Sequence, residues 1–216
     1  TTTKAPNYDI NEEIAKEITN NMVYVGGGSF NIGATEEQGD DFYSWEKPVH
    51  KVTLSSFYIS KYEVTQKQWK AIMGDNPSKN IGDNLPVENV TFEQIQEFIK
   101  RLNQLTGKHF SLPTDAQWEF AARGGNKSKR YKFSGSNNIN DVSWNENNSN
   151  KTTHQIGTKR PNELGLYDMS GNVWEWCSDW YGDYSGSSQT NPTGPYSGSI
   201  RVCRGGSWVS NAGYCR

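Results

Sequence analysis

The residues with the clearest chemical potential are Asp168 and Glu175, seven positions apart around Ser170-Gly171-Asn172. Gly171 suits a turn that needs positive φ or close backbone approach. Such a turn brings the two carboxylates toward each other and directs peptide carbonyls inward. A hard cation such as Ca²⁺ takes that mixture of carboxylate and carbonyl oxygen. The alternative is a tight turn ahead of a Trp174-Glu175-Trp176 strand, with the tryptophans packed and Glu175 in water. The thiols form a second set: Cys177, Cys203 and Cys215 allow one disulfide at most. Cys177 and Cys203 sit on segments that could lie side by side, so a bridge between them is one expectation, and pairing with Cys215 is another. His50, His109 and His154 are far apart in sequence, and no cysteine spacing matches a structural zinc site.

These groups need a scaffold, and the sequence describes one in part. Ile10, Ile14 and Ile18 line one face of a polar helix over residues 10–20. Strands are predicted from Met22 to Val25, from Phe30 to Ile32, and as one run from Val49 to Ser60. The acidic stretch between them, with Glu36, Glu37, Asp40 and Asp41, reads as a surface loop with solvated carboxylates. Three Thr-x-x-Gln capping boxes, at Thr65, Thr91 and Thr114, start helices that end at Gly74, Gly107 and Gly124-Gly125. Trp118, Ala121 and Ala122 on the third helix read as core. The Asn-rich tract 137–150 around Trp144 reads as ordered, and later strands are predicted at Trp174–Trp176 and Ile200–Arg204. The sum is an α+β domain with much irregular coil.

Composition sets the limits. A net charge of −2 gives no electrostatic case for nucleic acid or an anionic membrane. With 33% apolar residues and a mean hydropathy of −0.86, no stretch reads as a transmembrane helix. Yet 8 Trp, 11 Tyr and 21 Gly among 216 residues describe a folded, loop-rich chain with a core of large aromatics. A chain that starts at Thr1 rather than Met reads as trimmed, with any signal peptide or lipid anchor outside view.

Gly165-Leu166-Tyr167-Asp168-Met169-Ser170-Gly171-Asn172-Val173-Trp174-Glu175-Trp176 resembles the signature of the formylglycine-generating enzyme, or sulfatase-modifying factor, family. So do Leu112 to Gly125 and Arg201 to Trp208, with weaker matches at Val23–Gly33, Pro48-Val49-His50 and Glu63-Val64-Thr65. The resemblance implies a C-type-lectin-like variant of the α+β class. It sets a domain over 22–216 behind an N-terminal extension, 1–21, with a short helix, and it implies a further segment after Arg216. Asp168, Gly171, Val173 and Glu175 match one of the family's calcium sites. The other falls near Trp144 to Asn150, where Asp141 and Asn145 are the candidates. Trp174, Ser207 and Tyr214 match residues of the active cleft.

Active members use oxygen to convert a sulfatase cysteine to formylglycine. They bind the substrate as an extended peptide and hold Cu(I) between two thiolates, a soft metal on soft ligands. The copper positions fall on Ser210 and Cys215. A serine hydroxyl is a hard, poorly acidic oxygen that cannot replace a thiolate, so the resemblance in fold does not carry the copper activity. Three readings follow: an exported binding or scaffold module, periplasmic or on the cell surface, for an extended peptide or protein partner; a divergent copper oxidase; and a lectin-like binder of glycan or peptide using aromatics between Trp180 and Tyr196.

Overall fold

The computed structural model describes residues 10–216. In chain order its elements are α1 (Ile10–Asn20), β1 (Met22–Val25), β2 (Gly28–Ile32), β3 (His50–Leu54), β4 (Phe57–Ser60), α2 (Gln66–Met73), α3 (Phe92–Thr106) and α4 (Asp115–Ala122). There follow the short α5 (Ile139–Val142), β5 (Ser143–Trp144), β6 (Ser170–Gly171), β7 (Glu175–Trp180), β8 (Gln189–Thr190) and β9 (Arg201–Arg204). The strands form small sheets: β1 with β4, β2 with β3 and β8, β5 with β6, and β7 with β9. The α+β class and the abundance of coil agree with the sequence reading. Among the described residues, no helix is long and apolar enough to cross a membrane.

The three capping boxes are all formed. Each threonine hydroxyl accepts from the backbone N–H three residues on, and each glutamine side chain returns to the threonine N–H. Two otherwise orphaned donors are thereby satisfied at each of these three helix starts. Gly74 and Gly107 close α2 and α3 in the left-handed conformation, whereas α4 is capped by Arg123 before left-handed Gly124.

The predicted strand from Val49 to Ser60 is two strands in different sheets. At Ser55-Ser56 the chain turns, so that β3 continues toward β2 and β4 pairs with β1. Asn191 holds this break through Ser55: its Oδ1 accepts from the Ser55 N–H and its Nδ2 donates to the hydroxyl. β-Propensity marks both halves alike and does not register a change of sheet.

Two apolar clusters carry the fold. One joins Val25, Ile32, Val52 and Leu54 to Trp118, Phe120, Ala121 and Leu166, with α4 against the sheets. The other joins Ile14, Ala15 and Ile18 of α1 to Trp69, Ile72, Phe98 and Leu102 of α2 and α3. Trp69 and Phe98 stack there with ring centroids 5.1 Å apart. The helix assigned by resemblance to an extension thus packs into the helical core, while residues 1–9 lie outside the described residues. Ile14→Ala is expected to cost ~2–4 kcal/mol in urea denaturation within one cooperative transition; a loss below ~0.5 kcal/mol would mean that α1 is dispensable to that core.

Candidate functional site

The turn at Gly171 is built as the spacing suggests. Asp168, Gly171 and Asn172 all have positive φ. A Cβ on Gly171 would run into the Ser143 hydroxyl and the Trp144 carbonyl, so β5 can pair with β6 only if residue 171 has no side chain. Asn172 is fully buried and completely used. Its Nδ2 donates to Glu63 Oε2 at 2.7 Å and to the His154 carbonyl at 3.1 Å, and its Oδ1 accepts from the His154 N–H.

Three carboxylates lie around this turn, near enough for their charges to act on one another. Asp168 Oδ2 accepts from the Gly157 N–H at 2.6 Å, and its Oδ1 is buried without a hydrogen-bond partner. Glu175 Oε2 accepts from Trp118 Nε1 at 2.9 Å. Glu63, at the start of the chain's path into α2, accepts from Asn172 and from the Val173 N–H. Burial pushes Asp168 up to about 6 and Glu175 up to about 7, the latter also by the charge of Asp168. Glu63 is raised by burial and by both neighbouring carboxylates. The sequence marks Glu63 only as part of a weak motif match; its role emerges from long-range contacts that no local pattern encodes.

Among the described residues, no three Asp, Glu, His or Cys side chains converge as a metal site by themselves. A cation here would need the carbonyls of Gly171 and Val173 beside Asp168 and Glu175. The unpartnered Asp168 oxygen and the hard-oxygen donor set fit such an ion. Asp141 and Asn145, the candidates for a second set, each have protein partners. Asp141 accepts from Ser136 and Asn138 and faces Arg160 at 3.9 Å, whereas Asn145 ties the following turn through Asn147 and Asn148.

The carried-over cleft residues divide into two groups. Trp174 and Tyr214, each 41% exposed, line a cavity of about 240 Å³. Tyr214 meets Trp174 edge-on at 5.8 Å and stacks on Tyr43 at 4.9 Å, and Tyr43 stacks on Trp45 at 4.5 Å. Tyr43 and Trp45 come from the acidic loop and are missed by the sequence reading. Ser207, Ser210 and Cys215 are buried and do not line this cavity. Ser210 Oγ accepts from the Ser207 N–H at 3.0 Å and lies 3.1 Å from its hydroxyl, so it locks a turn. Cys215 has no exposed surface, and its sulfur lies where a Cβ on Gly206 would come within 2.8 Å. Burial pushes its thiol up to about 11.

The remaining thiols are free as well, which overturns the expected Cys177–Cys203 bridge. Cys203 pairs in register with Trp176, and neighbours in a strand point to opposite faces, so Cys177 faces away into the core. The aromatics between Trp180 and Tyr196 do not form one exposed cluster. Trp180 lies against the Arg201 guanidinium at 3.5 Å, and Tyr184 is tied to Asp115 and Arg204.

The carboxylate shifts make a prediction for the metal-free protein. Ordinary values near 4 are raised to about 6 and about 7, so the folded state holds the extra protons between those limits. The stabilisation is complete below about pH 4 and is lost as pH rises through the folded values. In chelator, Tm should therefore fall between pH 5 and 7.5, and Glu175→Gln should flatten that decline. A Tm that is flat or rising across the window would contradict the assigned burial.

Comparison with known proteins places the chain in a family. The chain is 35% identical over 245 residues to the chaperone protein LppX of Paenibacillus barcinonensis, a match covering 90% of this chain and 80% of LppX. It is 29% identical to the formylglycine-generating enzyme of Thermomonospora curvata, over 96% of this chain and 89% of that one. Its fold superposes on Treponema denticola variable protein 1 with a TM-score of 0.81 and 33% identity, covering 90% and 86% of the two chains. The sulfatase-modifying factor enzyme 1-like domain matches residues 8–216, and the chain belongs to that family.

Proposed function

We propose that this chain is a binding module of the sulfatase-modifying factor family, docking an extended peptide or protein segment in the aromatic cleft without copper chemistry. The observation that carries this reading is the pair of copper positions. Position 210 bears a hydroxyl already engaged in a turn, and position 215 bears a fully buried thiol held protonated, away from the cavity. In active relatives copper supplies oxygen activation at a thiol pair; here one thiolate is missing and the other is sequestered. A relative named as a chaperone, similar over 80% of its length, supports a protein partner.

The cleft suits such a partner physically. Trp45, Trp174 and Tyr214 offer large amphipathic faces, and aromatics of this kind anchor docked segments. The cations near the cavity are mostly neutralised internally: Arg204 by Asp115 and Glu119, Arg123 by Glu119 and Glu37, and Arg216 by Glu46. Affinity is then expected to come from apolar contact more than from charge. The same exposed aromatic group favours glycan stacking as a second reading, which a glycan array separates from peptide binding.

Calcium at Asp168 and Glu175 would act as a staple for the coil, with the Gly171 and Val173 carbonyls completing its shell. It would hold the Trp174 turn and the Trp118 contact in place and take no part in chemistry. An exported location accompanies this reading, because weak calcium sites fill only where the free ion is abundant. Calcium at ~100 times its Kd is expected to raise Tm by ~5–10 °C, with Asp168→Ala removing most of the rise. No response to calcium would remove the staple.

Aerobic incubation with Cu(I) and a Cys-x-Pro-x-Arg peptide, read by mass spectrometry, tests the main claim. The natural protein is expected to leave the cysteine unchanged, and formylglycine from it would overturn the reading. Conversion by Ser210→Cys alone would place the loss of activity at position 210 and show that the burial of Cys215 does not contribute to it, while the cleft still seats peptide.

A further inference from the structure

The loop between β2 and β3 is read from sequence as carrying solvated carboxylates; Glu36 and Asp40 are exposed, whereas Glu37 and Asp41 are paired with cations. Its base is closed by the Ala34 N–H donating to the Glu46 carbonyl, and the backbone hydrogen bonds of residues 34–47 stay within 33–47. Side chains therefore fasten it to the rest of the molecule. On one side, Arg123 at the end of α4 donates to Glu37 at 2.6 Å, to Thr35 and to the Gly33 carbonyl. Arg130 also faces Glu37, at 3.6 Å, and Lys132 pairs with Asp41. On the other side, Arg216 donates to both Glu46 oxygens and to Gln38, while Tyr43 stacks on Tyr214. The aromatic cavity lies between these anchors, and Gln38, Tyr43, Trp45 and Glu46 form one of its walls.

We infer that residues 34–48 are a strap latched across the cavity by ion pairs, opening as those pairs weaken and thereby controlling access to the cleft. The latch is graded. Glu37–Arg123 is sheltered on both sides, whereas Asp41 is 64% exposed and Arg130 is 71% exposed. Exposed pairs respond to salt, because the screening length falls from about 10 Å at 0.1 M to about 3 Å at 1 M. Sheltered pairs respond less, so the Asp41 segment opens first, with Glu37 as the hinge-side anchor. The role of the strap in admitting ligand rests on the binding-module reading; the latch itself does not.

Hydrogen exchange read by mass spectrometry on the unliganded protein tests the latch at 0.05 and 1 M NaCl. Amides of residues 34–47 are expected to exchange roughly tenfold faster at high salt, while those of α4 and β7 serve as the unchanged internal reference. Lys132→Ala should speed strap exchange already at low salt, and Glu13→Gln, an exposed α1 change, should not. Equal strap rates at both salts overturn the proposal, as does acceleration of the strap together with α4 and β7, which would report general loosening. The readout needs no ligand, so its failure is distinguishable from failure of the binding reading.

Discussion

The structure depends on the largely buried guanidinium of Arg204. It donates to Asp115 at 2.5 Å, to Glu119 at 2.9 Å and to Tyr184 at 2.8 Å, joining β9 to the first residue and the middle of α4 and to the loop after β7. Glu119 also accepts from Arg123 and from the Gly33 N–H, which adds the end of β2. Asp179 accepts from the Asp115 N–H, which adds β7. Sheets of two and three strands cannot organise one another through their own ladders, so this network and the Trp118–Glu175 bond set their arrangement around α4. Removing one partner from such a group would leave a buried charge uncompensated, a large cost compared with that of an exposed pair.

That arrangement decides what the site can do. α4 fixes Trp118, Trp118 fixes Glu175, and Glu175 starts β7 directly after Trp174, so the cleft aromatic is aimed by the core. On the opposite side, the Gly205-Gly206 turn brings the chain back so closely that Cys215 packs against residue 206. The same close packing that closes the fold here removes the thiol from solvent. A copper site needs a second thiolate to make such burial worthwhile, and Ser210 instead stabilises the turn between them.

The helices were legible because their signals are local: each Thr-x-x-Gln box formed with the glycines and helix stops nearly where expected. The turn at Gly171 was legible for the same reason. The break of the Val49–Ser60 strand was not, since Asn191, distant in sequence, holds it. Nor was the third carboxylate, Glu63, or the contribution of Tyr43 and Trp45, because the acidic loop gains its partners from residues far along the chain, Arg123, Lys132, Tyr214 and Arg216 among them. The Cys177–Cys203 expectation failed on register alone: strand adjacency was right, but the paired residue is Trp176.

The central claim is that this family fold retains a ligand cleft while its remaining copper-position thiol is buried and alone. Titration of the native protein with Cu(I) against bicinchoninate tests it most directly. The account predicts that bicinchoninate retains the copper, with Cys215→Ala indistinguishable from the natural chain. Stoichiometric transfer of one Cu(I) to the protein, abolished by Cys215→Ala, would contradict it.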